Sequence, residues 1–351
     1  MKKELKLRKL VRGDEEGLVD IYRDVFNVEL GVDYWRWKYY ENPLGEHSMH
    51  VALDGGRIVG EVGAILCRCK VGAEERLAGQ IVDIVIRRDY QKGGPFFDLV
   101  KLTREDLIRK SVSFSYAVTI KKTYKISTRL LGFKGLTPIK RFVKVIDPSP
   151  YLKTKMGALG TVIGGAGKVA MKMSHYGHLK ESKLIATKEI TRFDERFDEL
   201  WERESRNYEI TTVRRSIYLN WRYIDSSLAD YKVFAACTDN VINGFVVLSS
   251  DAKDGTRKGR IVDIFVEKDN VAAVGALINK AIEYCYNDGC SVAVAWVPEK
   301  SWIAQLFTKG GFKVLETPHD IVVCSYDDNI SYDQLANPEN WYFTMGDSDY
   351  F

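Results

Sequence analysis

The chain has 351 residues, 45% of them apolar and 28% charged, with a formal net charge of +4. That length suits two domains, and the composition excludes a disordered chain, a collagen-like fibre and a small disulfide scaffold. The charge is uneven: 28 basic residues face 20 acidic ones in 1–150, 6 face 1 in 151–185, and 18 face 27 in 186–351. A basic front and an acidic back suit one anionic and one cationic ligand. Six cysteines without a CxxC pair, and a basic start with no apolar stretch behind it, read as reduced thiols in a cytoplasmic protein lacking a secretory signal. No apolar run reaches membrane-spanning length; residues 157–173 are mostly glycine and alanine and are broken by Lys168.

In chain order, Leu5 and Leu7 alternate with Lys6 and Arg8 as a short strand, and Asp14 is placed to cap a helix from Glu15 to Val25. Met49–Leu53 and Ile58–Cys69 read as strands around the turn Asp54-Gly55-Gly56. Gln80–Arg87 is a β-rich run whose main polar residue is Asp83, the pattern of a central strand. A glycine-bearing loop, 90–95, opens a helix to Lys110 with Phe96, Val100, Thr103 and Leu107 on its inner side. A strand at 113–118 and a helix ended by Gly132 follow. The back half repeats the series: 233–236, 245–249 and 260–266 as strands, a helix at 271–286, a strand at 291–297, and a helix ended by Gly310-Gly311.

The chain repeats itself. Trp37-Lys38-Tyr39 is echoed by Trp221-Arg222-Tyr223, Ile81-Val82-Asp83-Ile84 by Ile261-Val262-Asp263-Ile264, and Gly132-Phe133-Lys134 by Gly311-Phe312-Lys313. Gln91-Lys92-Gly93-Gly94-Pro95-Phe96 has the physics of an anion site: glycines admit a phosphate to the backbone, and amides at a helix start point outward. Arg87, Arg88 and Lys92 add positive charge, and Pro95 suits a first helical turn. The equivalent stretch 267–276 lacks the paired glycines and carries two acids, so the front copy alone is expected to hold a diphosphate.

This element order, the glycine loop and the Gly-Phe after the last helix resemble the GNAT superfamily of acyl-CoA-dependent N-acyltransferases. The tandem form resembles the Eis-like and Fem-type double-domain members. The resemblance implies an α/β fold of the α+β mixed-sheet kind: two tandem GNAT-like domains, each a central mixed sheet flanked by helices. The expected parts are a GNAT-like acyl-CoA-binding domain at 1–150, a basic helical linker at 151–185, a degenerate GNAT-like domain on the acceptor side at 186–328, and a tail at 329–351 docking on the first domain. The family loop is [Q/R]-x-x-G-x-[G/A]; Gln91 to Gly94 match it, and Phe96 replaces the small last residue.

The resemblance further implies that acetyl-CoA, or another acyl-CoA, is the co-substrate, with no metal. Its contacts would come from the strand amides of Ile84, Val85 and Ile86, and from Arg87, Tyr90, Gln91, Lys92, Gly93, Gly94, Pro95 and Phe96. Transfer of the acyl group to an amine needs a base and an acid for the leaving thiolate. Asp83 is one candidate, although Asp263 repeats it in the degenerate copy and points to a structural role. Thr128 stands where the family's tyrosine acid sits four residues before the Gly-Phe, leaving Tyr124, eight residues before Gly132, as substitute. The terminal carboxylate of Phe351 is the third candidate, as in some tandem relatives. Tyr34 and Trp37 line the acceptor groove or anchor the core.

The acceptor is read as a small-molecule or peptide amine such as an aminosugar, drawn by the acidic back half; nucleic acid is not expected and the oligomeric state stays open. Two alternatives are a Fem-like aminoacyltransferase using aminoacyl-tRNA and a non-catalytic acyl-CoA-binding protein. In the linker, GTVIGGAGK does not have phosphate-loop spacing, and Leu159, Ile163, Ala166, Ala170 and Met173 form a helical stripe suited to an interdomain brace or, alternatively, to a helix on a membrane surface.

Overall fold

The computed structural model describes residues 4–45, 47–175, 179, 182–253 and 255–349. In chain order the elements are β1 (Lys6–Lys9), α1 (Glu15–Phe26), α2 (Val32–Tyr40), β2 (His47–Asp54), β3 (Arg57–Val71), β4 (Glu74–Ile86), α3 (Phe96–Arg109), β5 (Phe114–Ile120), α4 (Lys121–Leu130) and β6 (Lys134–Val145). Next come α5 (Ser149–His175), β7 (Ala186–Ile190), α6 (Glu195–Glu204), β8 (Ile210–Thr212), and α7 (Ser216–Leu219), which runs into a π-helical turn at Asn220–Ile224. The chain closes with β9 (Lys232–Thr238), β10 (Val241–Lys253), β11 (Thr256–Val266), α8 (Val271–Asn287), β12 (Val292–Trp296), α9 (Trp302–Lys309), β13 (Lys313–Ser325) and α10 (Tyr332–Leu335).

Two compact units emerge: Met1–Thr137 with Asp225–Leu228 and Asp320–Pro338, and Pro138–Ile224 with Ala229–His319 and Glu339–Phe351. The strand order of the first is β1-β2-β3-β4-β5-β13, and of the second β7-β9-β10-β11-β12-β6. In each, antiparallel neighbours precede a parallel pair, β4 with β5 and β11 with β12. The units are therefore built alike, as the repeat requires.

The boundaries differ from those expected. Residues 138–145, the last strand of the first copy, pair with β12 in the second unit. The first unit closes with 320–325, where Tyr326 N–H donates to Ser113 O and Thr119 Oγ1 to Asp320 O. Equivalent strands of a duplicated fold fit either sheet, so a repeat reveals which segments match but not which sheet each joins.

In the first unit α3 covers one face of the sheet. Leu99 packs on Ala52, Val59, Val62 and Ile86, and Leu107 on Ala64, Leu66 and Val112. Helices α1 and α2 cover the other face with Leu18, Ile21, Trp35 and Tyr39, all fully buried. Asp14 does not cap α1; its carboxylate turns to Arg8 (2.6 and 2.8 Å) and the Val11 amide.

The tail divides. Residues up to Pro338 lie in the first unit, but from Glu339 onward the chain belongs to the second, not to the first domain as expected. The reason is a buried ion cluster: Arg214 donates to Asp263 (Nε–Oδ2 3.1 Å) and to Asp347 in the tail (2.8 Å). Arg222 adds bonds to the carbonyls of Gly346 and Ser348. Opposite charges inside one unit outweigh the general attraction of an acidic tail for a basic domain. Removing a buried partner strands the other charges, so Arg214→Met is expected to cost about 3–5 kcal/mol in urea denaturation, and Asp347→Asn clearly less.

Candidate active site

The first unit's site begins at a defect in β4. Glu61 of β3 lies opposite Val85 and Gly63 opposite Val82, so β4 spends one residue more than β3 over this stretch. Asp83 absorbs it with φ +50, a left-handed conformation uncommon for a residue with a side chain. The bulge turns Asp83 under α1 and α2. There its carboxylate accepts from Tyr22 (2.6 Å) and Tyr39, and pairs with the buried Lys38 ammonium at 2.7 Å. Pairing of β4 with β5 covers only Ala78–Gln80 against Phe114–Tyr116. Past Gln80 that edge of β4 has no strand partner among the described residues, and Ile84 and Ile120 expose apolar side chains at the separated ends.

Glu61 shares the face of Asp83. It is wholly buried, and neither of its oxygens has a hydrogen-bond partner among the described residues. Burial, and next the Asp83 charge, push it well above the usual carboxylate range, toward its protonated form. The buried Gln80 Nε2, on the same face, likewise has no partner among the described residues.

After β4, Arg88–Tyr90 make one tight turn, and Gln91 Nε2 bonds back to Ile86 O (3.1 Å). Gly93 takes φ +67, and a Cβ on Gly94 would run into the Tyr90 carbonyl, so both positions require glycine. The amides of Gly93, Gly94, Phe96, Phe97 and Asp98 find no partner among the described residues, because α3 starts at Phe96 and its first intrahelical bond is Leu99 to Pro95 O. Lys92 is exposed beside them, and the Phe96 ring packs inward on the Leu99 cluster. Loop and strand edge thus lie at the same end of β4. This arrangement can receive a diphosphate and, alongside it, a chain of amide groups.

Other expected site residues fall elsewhere. Arg87 is buried and points away from the loop, to Asp20 (2.5 Å), Asp24 (2.6 Å) and Ile58 O; two carboxylates on α1 claim its charge. Tyr90 is bound through its hydroxyl to Asp54 (2.5 Å). Tyr34 and Trp37 are 6% and 4% exposed and serve as core anchors, because α2 packs its aromatics on the sheet and on Tyr22. The Tyr124 hydroxyl sits against Gly135, close enough that a Cβ there would clash, and Thr128 bonds its own helix at Tyr124 O. Phe351 lies outside the described residues. Sequence reasoning passed over Glu61, Tyr22 and Lys38. Lys38 had a signal, since Trp-Lys-Tyr and Asp83 are both repeat landmarks and touch each other.

The second copy explains itself by comparison. Tyr223 donates to Asp263 (3.0 Å), as Tyr39 does to Asp83, so the carboxylate at the bulge is a shared structural feature. There the helix start is satisfied internally: Asn270 caps Ala273 N–H, and Glu204 accepts from Lys268 N–H. The tail lies along β11, with Tyr342 bonded to Ile264 O and Thr344 to Asp263. The Ile264 carbonyl and the Lys268 and Ala273 amides are thus taken.

Because folding raises the Glu61 carboxyl well above its ordinary value of 4.5, its contribution is present below pH 4.5 and is lost as pH rises through the raised folded value. Glu61→Gln, which cannot ionise, is expected to match the parent protein at pH 4 and to exceed its stability progressively toward pH 9. Denaturant midpoints across that range measure this.

Residues 6–127 match the family model described as an acetyltransferase (GNAT) domain. No curated protein matches by sequence. Among solved structures, a conserved protein of unknown function and probable N-acyltransferase from Enterococcus faecalis V583 aligns with TM-score 0.64 and 12% identity, over 92% of this chain and 73% of that one. A GCN5-related N-acetyltransferase from Anabaena variabilis gives 0.64 and 12%, over 91% and 72%. N-myristoyltransferase of Saccharomyces cerevisiae with bound myristoyl-CoA gives 0.60 and 11%, over 92% and 83%. At such identities the likeness is one of fold. Residues 6–127 thus match a GNAT acetyltransferase domain, and the chain has a fold shared with N-acyltransferases.

Proposed function

We propose that the protein transfers an acyl group, acetyl in the simplest case, from acyl-CoA to an amine. The observation that carries this reading is the pairing of an open β4 edge with unbonded amides at the start of α3. Bound acyl-CoA would supply an activated thioester. The amides of Gly93, Gly94, Phe96 and Phe97, with Lys92, are suited to its diphosphate. The free edge at 84–86 is suited to the amide groups of its pantetheine arm and to the oxygen that gains charge during attack. In the step itself the amine nitrogen bonds to the acyl carbon, the carbon–sulfur bond breaks, the amine gives up a proton and the thiolate receives one.

Asp83 is saturated by three donors, and we assign it to holding the bulge. Tyr124, in the first turn of α4 directly after β5, is the candidate proton donor to the thiolate. The acidic composition of 186–351 favours a cationic acceptor such as an aminosugar or a lysine side chain. The acid-lined loop of the second copy argues for a single acyl-CoA per chain.

Acetyl-CoA at 100 times its dissociation constant should stabilise the protein by about 2.7 kcal/mol, seen as a rise in melting temperature. Lys92→Glu, at an exposed position, should leave the unliganded melting temperature unchanged and weaken binding by about tenfold. A thiol reagent should detect CoA release with a panel of amines, and Tyr124→Phe should slow it. Binding without release for any amine would favour a non-catalytic acyl-CoA-binding protein; absence of binding would overturn the proposal.

A further inference from the structure

We propose that residues 149–175 form a hairpin that lies on an anionic lipid surface. Helix α5 reverses at Gly157 (φ 59, ψ −137), and the second arm runs back along the first. The arms meet through glycine. A Cβ on Gly160 would strike Leu152 O, one on Gly164 would strike Ser149, and one on Gly167 would sit 3.1 Å from Pro148. An interface this close leaves no room for large side chains between the arms. Leu159 and Ile163 of the apolar stripe are exposed. With Tyr151, Met156 and Val169 they make five large apolar side chains that are 44–63% exposed within one short segment.

The charge of the segment identifies what covers this surface. Residues 149–175 contain Lys153, Lys155, Lys168 and Lys172 and no Asp or Glu. Lys153 and Lys155 are exposed, and the Lys155 ammonium lies 5.2 Å from the Tyr151 ring centre. Apolar side chains beside lysines, with an aromatic ring among them, suit the boundary of acyl chains and negative headgroups. Association of two such hairpins would instead set like charges together. Among the described residues no helix is long and apolar enough to cross a membrane, so the hairpin would lie in the plane of the surface.

Co-sedimentation of the full chain with phosphatidylcholine vesicles, with and without phosphatidylglycerol, tests this. Binding is expected only with phosphatidylglycerol and should fall with added salt. Lys153→Glu with Lys155→Glu should reduce it by at least about tenfold, and Leu159→Asp with Ile163→Asp should abolish it, both at unchanged melting temperature. Failure to bind, or equal binding to uncharged vesicles, would overturn the proposal. So would self-association in sedimentation velocity that the Leu159→Asp, Ile163→Asp variant removes, because the apolar surface would then belong to a second copy.

Discussion

A single buried ion pair shapes the first unit. Holding Asp83 at positive φ costs of the order of 1–3 kcal/mol, and a strand would ordinarily relax to avoid it. Lys38 and the hydroxyls of Tyr22 and Tyr39 remove that option, since straightening β4 would carry the carboxylate away from all three donors. The extra residue then bends the strand away from β5, and the edge beyond Gln80 stays open. The loop at 91–95 and the start of α3 follow from the strand end that this bend aims. Glu61 tightens the arrangement: burial and the Asp83 charge push it toward its neutral form, which limits the negative charge beside Asp83.

The duplication shows how one scaffold supports two outcomes. Both copies keep an aspartate at the bulge and a tyrosine that reaches it, and both supply a buried cation, Lys38 in one and Arg214 in the other. They diverge at the strand edge and the loop. In the second unit Tyr342 of the tail takes the Ile264 carbonyl, Thr344 bonds the Asp263 carboxylate, and Asn270 caps the Ala273 amide at the start of α8. In the first unit the glycines leave such amides bare. The charge division along the chain follows: the half with bare amides is basic, and the half that closes its own site is acidic.

The fold was largely legible because its strands and helices carry strong periodicity and appear twice. The Gln91–Gly94 loop was legible because glycine at φ +67, and glycine where any Cβ meets a carbonyl, has few other uses. What stayed hidden depended on partners distant in sequence. Arg87 looks like part of a basic loop until Asp20 and Asp24 claim it. Glu61, in Val59-Gly60-Glu61-Val62, looks like an outward residue of an alternating strand, whereas both faces of β3 are covered. The exchange of 138–145 and 320–325 leaves no local trace, because each strand suits either sheet. Tyr34 and Trp37 could have lined a groove or filled a core; packing of α2 decided for the core.

The central claim is that the front copy alone presents free backbone amides along β4 and at the start of α3. Hydrogen–deuterium exchange with and without acetyl-CoA tests it most directly. The account predicts that peptides covering 81–86 and 93–98 become protected on addition of acetyl-CoA, while those covering 261–276 do not change. Protection confined to 261–276, or none in either region at saturating acetyl-CoA, would contradict it.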